Sequence, residues 1–338
     1  MFRMHRPSFW QLVNILKDAS ERGYWDGREY VARTAGGRPP RPAYQQIAVT
    51  LYLLGAAGGG RECSGINLNI GKGTVTRYIQ HTIKLLVTLL PQYVRWPTAQ
   101  QRIDIDPPTA IFQCCVGFLD GSVIILRYKP MVDPEAYFSQ KSTYGFNIQA
   151  ICDWERRFIW VSMGHTASAH DSTAFKSTSL YHDINKSFGP EEYVVADKVY
   201  ALERHIITPY KESLARRRAH SALNYALSVP RVKIEYAFGI LKACWPSLYD
   251  LPVRIAEPAE PGHENIIDWT LACIVLHNML ASMKDDESWL EEIMVQNARE
   301  GGKERERYRA QARETEGEAK REGARRRNDL RDAISLQN

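Results

Sequence analysis

The most informative stretch of this sequence is Val116-Gly-Phe-Leu-Asp-Gly-Ser-Val-Ile-Ile-Leu126. Apart from Asp120, Gly121 and Ser122 it is apolar, which is typical of a central strand that is buried on both faces. An ionised carboxylate in such a strand is costly unless a cation offsets its charge, so Asp120 is a candidate metal ligand. The alternative is a tight turn at Asp120-Gly121 that splits the run into a hairpin. The local sequence favours neither interpretation.

Further β-rich runs place this stretch in a sheet. Strands are predicted at residues 144–152, 158–163, 193–196 and 206–208, with a helix at 172–182 between the third and fourth strands of the sheet. This order predicts a mixed α/β sheet with flanking helices. Two more helices are predicted after it, from Pro230 to Cys244 and from Asn265 to Met283.

Composition divides the chain into three parts. Residues 1–108 are predicted to be helical, residues 109–284 contain the predicted sheet, and residues 285–338 form a charged tail that is either a solvated helix or disordered. The net charge of +5 permits a polyanionic partner without requiring one. The six cysteines show neither a zinc nor a disulfide framework, and no membrane partner is expected, because the longest nearly uncharged stretch, 269–283, is too short to span a bilayer.

Two more aspartates lie where such a sheet would place a ligand. Asp197 directly follows the apolar strand 193–196, and α/β sheets bind ligands at the carboxyl ends of their strands. An ordinary loop aspartate is the alternative. Asp171 precedes the helix predicted from Ser172 and is either a further ligand or the cap of that helix, and the two roles are compatible.

A glutamate occupies the edge of a predicted helix face. At about 100° per residue, Glu235 lies within roughly 40° of Arg231 and Lys242, next to an apolar stripe. Glu235 is therefore a candidate ligand at the border of the buried face. The alternative is a solvated ion pair between Arg231 and Glu235, four residues apart.

Six motifs in order resemble the PIF/Harbinger transposases and the Harbinger transposase-derived nuclease. They span residues 115 to 279 and read Gly117-Phe-Leu-Asp-Gly-Ser, Tyr144-Gly-Phe-Asn-Ile-Gln, His170-Asp-Ser-Thr-Ala-Phe, Val195-Ala-Asp-Lys-Val-Tyr, Arg231-Val-Lys-Ile-Glu-Tyr-Ala-Phe-Gly and Val275-Leu-His-Asn. The resemblance implies a ribonuclease-H-like catalytic fold over residues 109–284. It also implies that Asp120, Asp197 and Glu235 are the catalytic carboxylates and that Asp171 is a further metal ligand.

A site of four carboxylates fits Mg²⁺ or Mn²⁺ better than Zn²⁺, because these hard cations prefer oxygen ligands. Two such ions can activate a nucleophile and stabilise the charge that develops when a phosphodiester is cut. Two departures from the family pattern stand near the site. Val199 occupies a position that is usually Gly, and Tyr236 one that is often Arg, which puts full activity in question.

The resemblance also implies that the amino-terminal part binds double-stranded DNA, and its residues are compatible with a helix-turn-helix. Its helices are predicted at 44–54, 61–67 and 74–90, with Thr74 as the cap of the last one. The predicted DNA contacts are Lys72, Thr76, Arg77 and Tyr78. A plain helical bundle with a solvated basic face is the alternative. Arg231 and Lys242 are expected to contact DNA phosphates or to orient Glu235.

The sequence therefore predicts a metal-dependent endonuclease or transposase that cuts at transposon ends. The alternative is a domesticated relative that binds DNA or another protein without cutting. The resemblance implies a separate DNA-binding partner protein, and a homo-oligomer and a nuclear location, with the cytoplasm as a second location, are further expectations. An unrelated α/β hydrolase has weak support, since the sequence lacks a Gly-x-Ser-x-Gly motif.

Overall fold

A computed structural model describes residues 3–20, 41–56, 69–105, 107–108, 112–210, 218–256 and 262–283. All of these described residues belong to one compact unit. The predicted tail and the helix predicted at 61–67 lie outside the described residues.

The centre of this unit is a five-stranded mixed sheet in the order β3-β2-β1-β4-β5. Its strands are β1 (Cys115–Ile125), β2 (Gly145–Cys152), β3 (Phe158–Thr166), β4 (Tyr193–Ala196) and β5 (Ile206–Ile207). β1 pairs with β2 and β2 with β3 in antiparallel fashion, whereas β1, β4 and β5 run parallel. β1 is one continuous strand, so the alternative of a turn at Asp120-Gly121 is wrong. The predicted mixed sheet with flanking helices is confirmed and is consistent with a ribonuclease-H-like fold.

Ten helices and two 3-10 turns are described around this sheet. The helices are α1 (Arg6–Ala19), α2 (Ala43–Leu54), α3 (Lys72–Thr88), α4 (Leu90–Tyr93), α5 (Ala99–Ile103), α6 (Asp171–Lys176), α7 (Ser179–His182), α8 (Ile184–Ser187), α9 (Arg218–Cys244) and α10 (Gly262–Ser282). The 3-10 turns are Pro134–Tyr137 and Pro246–Tyr249. Along the described residues, every helix is too short or too polar to cross a membrane.

Two of these helices differ from the prediction. The helix expected at 172–182 is divided into α6 and α7, because Thr178 caps a new helix by accepting a hydrogen bond from the backbone of Tyr181. The helix expected to begin at Pro230 begins at Arg218 instead, and Pro230 lies inside it.

The two faces of the sheet are covered by different helices. On one face, Leu119 and Ala196 pack with Phe175 of α6 and with Tyr200. On the other face, Phe118 of β1, Cys152 of β2 and Phe158 of β3 are neighbours across the three strands. The ring of Phe158 lies 5.4 Å from that of Phe238 on α9. Because side chains alternate along a strand, Asp120 and Ser122 share the face of Phe118, and Gly121 shares the face of Leu119.

The amino-terminal helices pack against this core and do not stand apart from it. α3 contacts α2 and also α10, so the described residues show no division at 108. Asn278 of α10 joins the two parts, because its Nδ2 donates to the carbonyl oxygens of Tyr93, at 2.8 Å, and of Phe158, at 2.7 Å. The backbone N–H of Phe158 in turn donates to Asn278 Oδ1. The Val275-Leu-His-Asn motif thus has a structural role.

Candidate metal and DNA site

Asp120 and Asp197 lie side by side at the carboxyl end of β4. In the parallel pair β1/β4, Phe118 is opposite Val195 and Leu119 is opposite Ala196. Asp120 and Asp197 each follow this last pair, and β1 continues to Ile125 beyond the end of β4. The carboxyl ends of parallel strands are where α/β sheets bind ligands.

The carboxyl group of Asp120 is in an electrostatically unfavourable place. The pKa of Asp120 is raised from 3.8 to about 6, mainly because the carboxyl group is buried. The charges of Asp171 and Asp197 contribute to this rise, and the Gly121 backbone N–H and the Arg231 charge oppose it. The N–H of Gly121 donates to Asp120 Oδ1 at 2.9 Å. A divalent cation beside Asp120 would offset both the desolvation and the repulsion between the aspartates.

Asp171 is held by side chains of β2. It is the first residue of α6, and His170 precedes it as the N-cap residue without a side-chain cap bond. Asp171 Oδ1 accepts hydrogen bonds from Asn147 Nδ2 at 2.7 Å and from Gln149 Nε2 at 2.9 Å. The side chain of Asp171 therefore faces the sheet and does not cap α6.

Gly121 makes room for this aspartate. A Cβ at position 121 would overlap Asp171 Oδ1 and lie 2.6 Å from Gln149 Nε2. Asp171 thus approaches β1 from the face of Gly121, whereas the side chain of Asp120 is on the opposite face. The two carboxylates are nevertheless close enough for Asp171 to raise the pKa of Asp120.

Glu235 lies on α9, the helix that covers the Asp120 face of the sheet. Its side chain is 48% exposed, and its Oε1 forms an ion pair with Arg231 Nη1 at 2.8 Å. The alternative of an ion pair four residues apart is thus present in the structure. Arg231 also lowers the pKa of Asp120, so one guanidinium interacts with both candidate ligands.

The four candidate carboxylates do not form one compact cluster in the described part of the chain. Among the residues that the structure describes, no three His, Cys, Asp or Glu side chains are grouped around one metal position. Asp120, Asp171 and Asp197 affect one another electrostatically, whereas Glu235 is engaged by Arg231. The donor atoms are all carboxylate oxygens, which is the chemistry that Mg²⁺ and Mn²⁺ prefer.

Lys242 does not face solvent. It is 8% exposed, and its Nζ donates to Ser122 Oγ at 2.7 Å and to the carbonyl oxygen of Val123 at 2.8 Å. The ammonium group therefore fastens α9 to β1 next to Asp120. This location argues against the phosphate contact predicted for Lys242.

The four DNA contacts predicted on α3 also differ in their exposure to solvent. Lys72 and Arg77 are exposed and Thr76 is half-buried, but Tyr78 is 6% exposed and packs inside the unit, so the prediction of a DNA contact for Tyr78 is corrected. The helix begins at Lys72 with Gly71 as its N-cap residue, which also corrects the predicted cap at Thr74. Part of the predicted helix-turn-helix, at 61–67, lies outside the described residues.

Three residues of the site belong to the quoted sequence motifs but were assigned no role from the sequence: Asn147, Gln149 and Tyr200. Asn147 and Gln149 are polar residues two apart in β2, a strand buried along its whole length. Tyr200 is buried and its hydroxyl donates to Gln149 Oε1 at 2.6 Å. Two buried amides on one face of an apolar strand were a usable signal, because such groups require partners.

Val199 is compatible with its loop. Its side chain is exposed, and its backbone lies outside the left-handed region that favours glycine. The departure from the family pattern at this position therefore causes no backbone strain. Tyr236, the second departure, is half exposed beside Glu235.

Comparisons with known proteins agree with this arrangement. Residues 119–278 match the family described as DDE superfamily endonuclease. A relative from Arabidopsis thaliana, named Protein ALP1-like, is 22% identical over 263 residues, which cover 73% of this chain and 62% of the relative. The chain thus spans less than two thirds of that protein's length. No solved structure matches the chain.

Proposed function

We propose that this chain is a Harbinger-type DDE superfamily endonuclease that cuts the phosphodiester bonds of double-stranded DNA with divalent metal ions. The proposed ligands are Asp120, Asp171, Asp197 and Glu235. Mg²⁺ or Mn²⁺ is the proposed cofactor, and transposon ends are the proposed target.

The observation that carries this proposal is the place of Asp120, which lies within the central strand β1 and beside Asp197 at the carboxyl end of β4. Its carboxyl group is desolvated and has two further aspartates near it, so that its pKa is raised to about 6. A fold that only needed stability would gain from an uncharged side chain at this position. A retained carboxylate in such a place is typical of a functional site.

Each residue has a separate task in the proposed reaction. Asp120 and Asp197 would hold the metal, and Asp171 would add an oxygen ligand from α6. Glu235 joins them after it leaves Arg231, whose guanidinium then becomes available to a DNA phosphate. The chemistry supplied by bound Mg²⁺ or Mn²⁺ is activation of the attacking water and stabilisation of charge at the phosphorus.

DNA is proposed to contact α3 and the region around α9. Lys72 and Arg77 are exposed cations on the first turns of α3 and suit contacts with the phosphate backbone, with Thr76 beside them. Residues 1–108 are proposed as the DNA-reading part of the chain. A separate DNA-binding protein, a second copy of this chain and a nuclear location are further parts of the proposal.

A second candidate function is a protein that binds DNA without cutting it. The ion pair between Arg231 and Glu235 favours this alternative, because it occupies the carboxylate that the metal site requires. An exposed pair of this kind contributes only about 0–1 kcal/mol, however, and a divalent cation can displace it.

Cleavage of a duplex with transposon ends tests the proposal. The wild type should cut in Mg²⁺ or Mn²⁺, and EDTA should abolish cutting. Glu235→Gln keeps the size of the side chain but removes a ligand charge, so activity should fall about 10²–10³-fold or more while DNA binding persists. The matched control is Glu155→Gln, which removes another exposed glutamate paired with an arginine, Arg157.

The outcomes separate the two candidate functions. Binding without cutting by the wild type would favour the non-cutting protein. Cutting that survives Glu235→Gln would show that the active site lies elsewhere. Equal losses in Glu235→Gln and Glu155→Gln would indicate a general effect of surface charge.

A further inference from the structure

Four side chains form a continuous hydrogen-bond network behind Asp120. The Tyr200 hydroxyl donates to Gln149 Oε1 at 2.6 Å, and Gln149 Nε2 donates to Asn147 Oδ1 at 2.8 Å and to Asp171 Oδ1 at 2.9 Å. Asn147 Nδ2 donates to Asp171 Oδ1 at 2.7 Å and to the carbonyl oxygen of Ala169 at 3.3 Å. Asn147, Gln149 and Tyr200 are each no more than 4% exposed.

The donors and acceptors of this network can be assigned in only one way. An ionised carboxylate only accepts hydrogen bonds, so both amides must present their NH₂ groups to Asp171. The carbonyl oxygen of Gln149 then needs a donor on its other side, and the Tyr200 hydroxyl provides it. The tyrosine thereby fixes which way the Gln149 amide is turned. A buried network in which every member is satisfied holds its groups rigidly.

Tyr200 also contacts the loop of a second candidate ligand, Asp197. Tyr200 follows Asp197 by three residues, and its backbone N–H donates to the carbonyl oxygen of Asp197 at 3.1 Å. Its ring is packed in the core cluster with Phe175 of α6 and Ala196 of β4. The loop that carries Asp197 and the helix that begins with Asp171 therefore share one anchor.

We propose that Asn147, Gln149 and Tyr200 are positioning residues that set Asp171 and the Asp197 loop at a fixed separation for metal binding. This inference rests on the proposed function. Asp171 is held through Oδ1, so Oδ2 is the oxygen that the network leaves to a cation. Partners behind metal ligands act in this way because they orient the ligand and exclude other rotamers.

Tyr200→Phe is the most specific test, since it removes one hydroxyl and keeps the ring. The matched control is Tyr181→Phe, which also removes a hydrogen-bonded hydroxyl from a ring packed on Phe175, but one whose partner is Glu203 at 2.9 Å. Mn²⁺ binding to the full chain is measured by electron paramagnetic resonance without DNA. Tyr200→Phe should raise the Kd for Mn²⁺ about 10–100-fold, and Tyr181→Phe should leave it unchanged.

A double-mutant cycle separates positioning from general stability. If Tyr200 acts through Asp171, Tyr200→Phe should raise the Kd far less in an Asp171→Asn background than in the wild type. Equal increases in both backgrounds, or an unchanged Kd in Tyr200→Phe, would overturn the positioning role while the metal site stands. A wild type that neither binds Mn²⁺ nor cuts DNA would overturn the proposed function and this inference together.

Discussion

Asp171 and Glu235 lie on opposite sides of β1 and are held in opposite ways. Asp171 accepts two hydrogen bonds from buried amides, in a space that exists because residue 121 is glycine. Glu235 is 48% exposed and pairs with Arg231 on its own helix. The side chain of Asp171 is thus held in place by buried partners, whereas Glu235 would have to leave Arg231 before it could bind the proposed ion.

This difference indicates the order in which a metal site would assemble. Asp120 and Asp197 are fixed by the register of β1 and β4, and the buried network fixes Asp171. A cation would first meet these three aspartates, which influence one another electrostatically but are not grouped around one metal position in the described residues. Glu235 would complete the site once Arg231 is drawn to another anion, and a DNA phosphate is such an anion.

The largest expected effect comes from filling the space at Gly121. In Gly121→Ala the new Cβ would overlap Asp171 Oδ1, so either Asp171 moves or β1 shifts. We expect a loss of about 1–3 kcal/mol in the free energy of unfolding, together with loss of Mn²⁺ binding. Urea unfolding and Mn²⁺ titration measure the two effects.

Gly73→Ala is the matched control, because a Cβ at Gly73 on α3 would meet nothing within 4 Å. Alanine should keep or slightly raise stability there, since glycine is unfavourable inside helices. If Gly121→Ala remained as stable as the wild type and bound Mn²⁺ normally, the close packing of Asp171 against Gly121 would not matter for metal binding. The proposed difference between Asp171 and Glu235 would then be wrong.

A smaller effect is expected from Asp120 in the absence of metal. Because the pKa of Asp120 is raised from 3.8 to about 6, its contribution to stability is fully present below pH 3.8 and is lost as the pH rises through 6. The difference corresponds to up to about 3 kcal/mol. In EDTA, Asp120→Asn should therefore be more stable than the wild type above pH 6, and this advantage should shrink toward pH 5.

Urea unfolding between pH 5 and pH 8 checks this expectation. Mn²⁺ should stabilise the wild type above pH 6 and leave Asp120→Asn unchanged, because the ion binds the ionised carboxylate. A stability difference between the two proteins that is independent of pH would mean that the pKa of Asp120 is not raised in the folded protein.

The sequence predicted the sheet well because its strands are short apolar runs bounded by turn residues. It also placed Asp120, Asp197 and Glu235 on a strand, at a strand end and on a helix, where the structure has them. Periodicity could not show which residues are covered by a neighbouring element. Lys242 appeared on the same helical face as Glu235, yet it is buried against Ser122.

The hydrogen-bond network around Asp171 could not be predicted from the sequence for a related reason. Asp171 was given two local interpretations, a cap and a ligand, because its partners Asn147 and Gln149 lie more than 20 residues away. The pairing of β1 with β2 places Gln149 opposite Gly121 and Asn147 opposite Val123. Side-chain hydrogen bonds over such separations depend on strand register, which local patterns do not give.

The smallest expected effect compares two cations, Arg77 on α3 and Lys242 on α9. Arg77 is exposed, so Arg77→Ala should weaken DNA binding and reduce the slope of log Kd against log salt by about 1. Lys242 is bonded to β1, so Lys242→Met should leave that slope unchanged and lower the free energy of unfolding by about 1–3 kcal/mol. Binding isotherms at several salt concentrations, with urea unfolding, measure both. A reduced salt slope in Lys242→Met would place Lys242 at the DNA, and the carboxyl-terminal end of α9 would then have to move away from β1 when DNA binds.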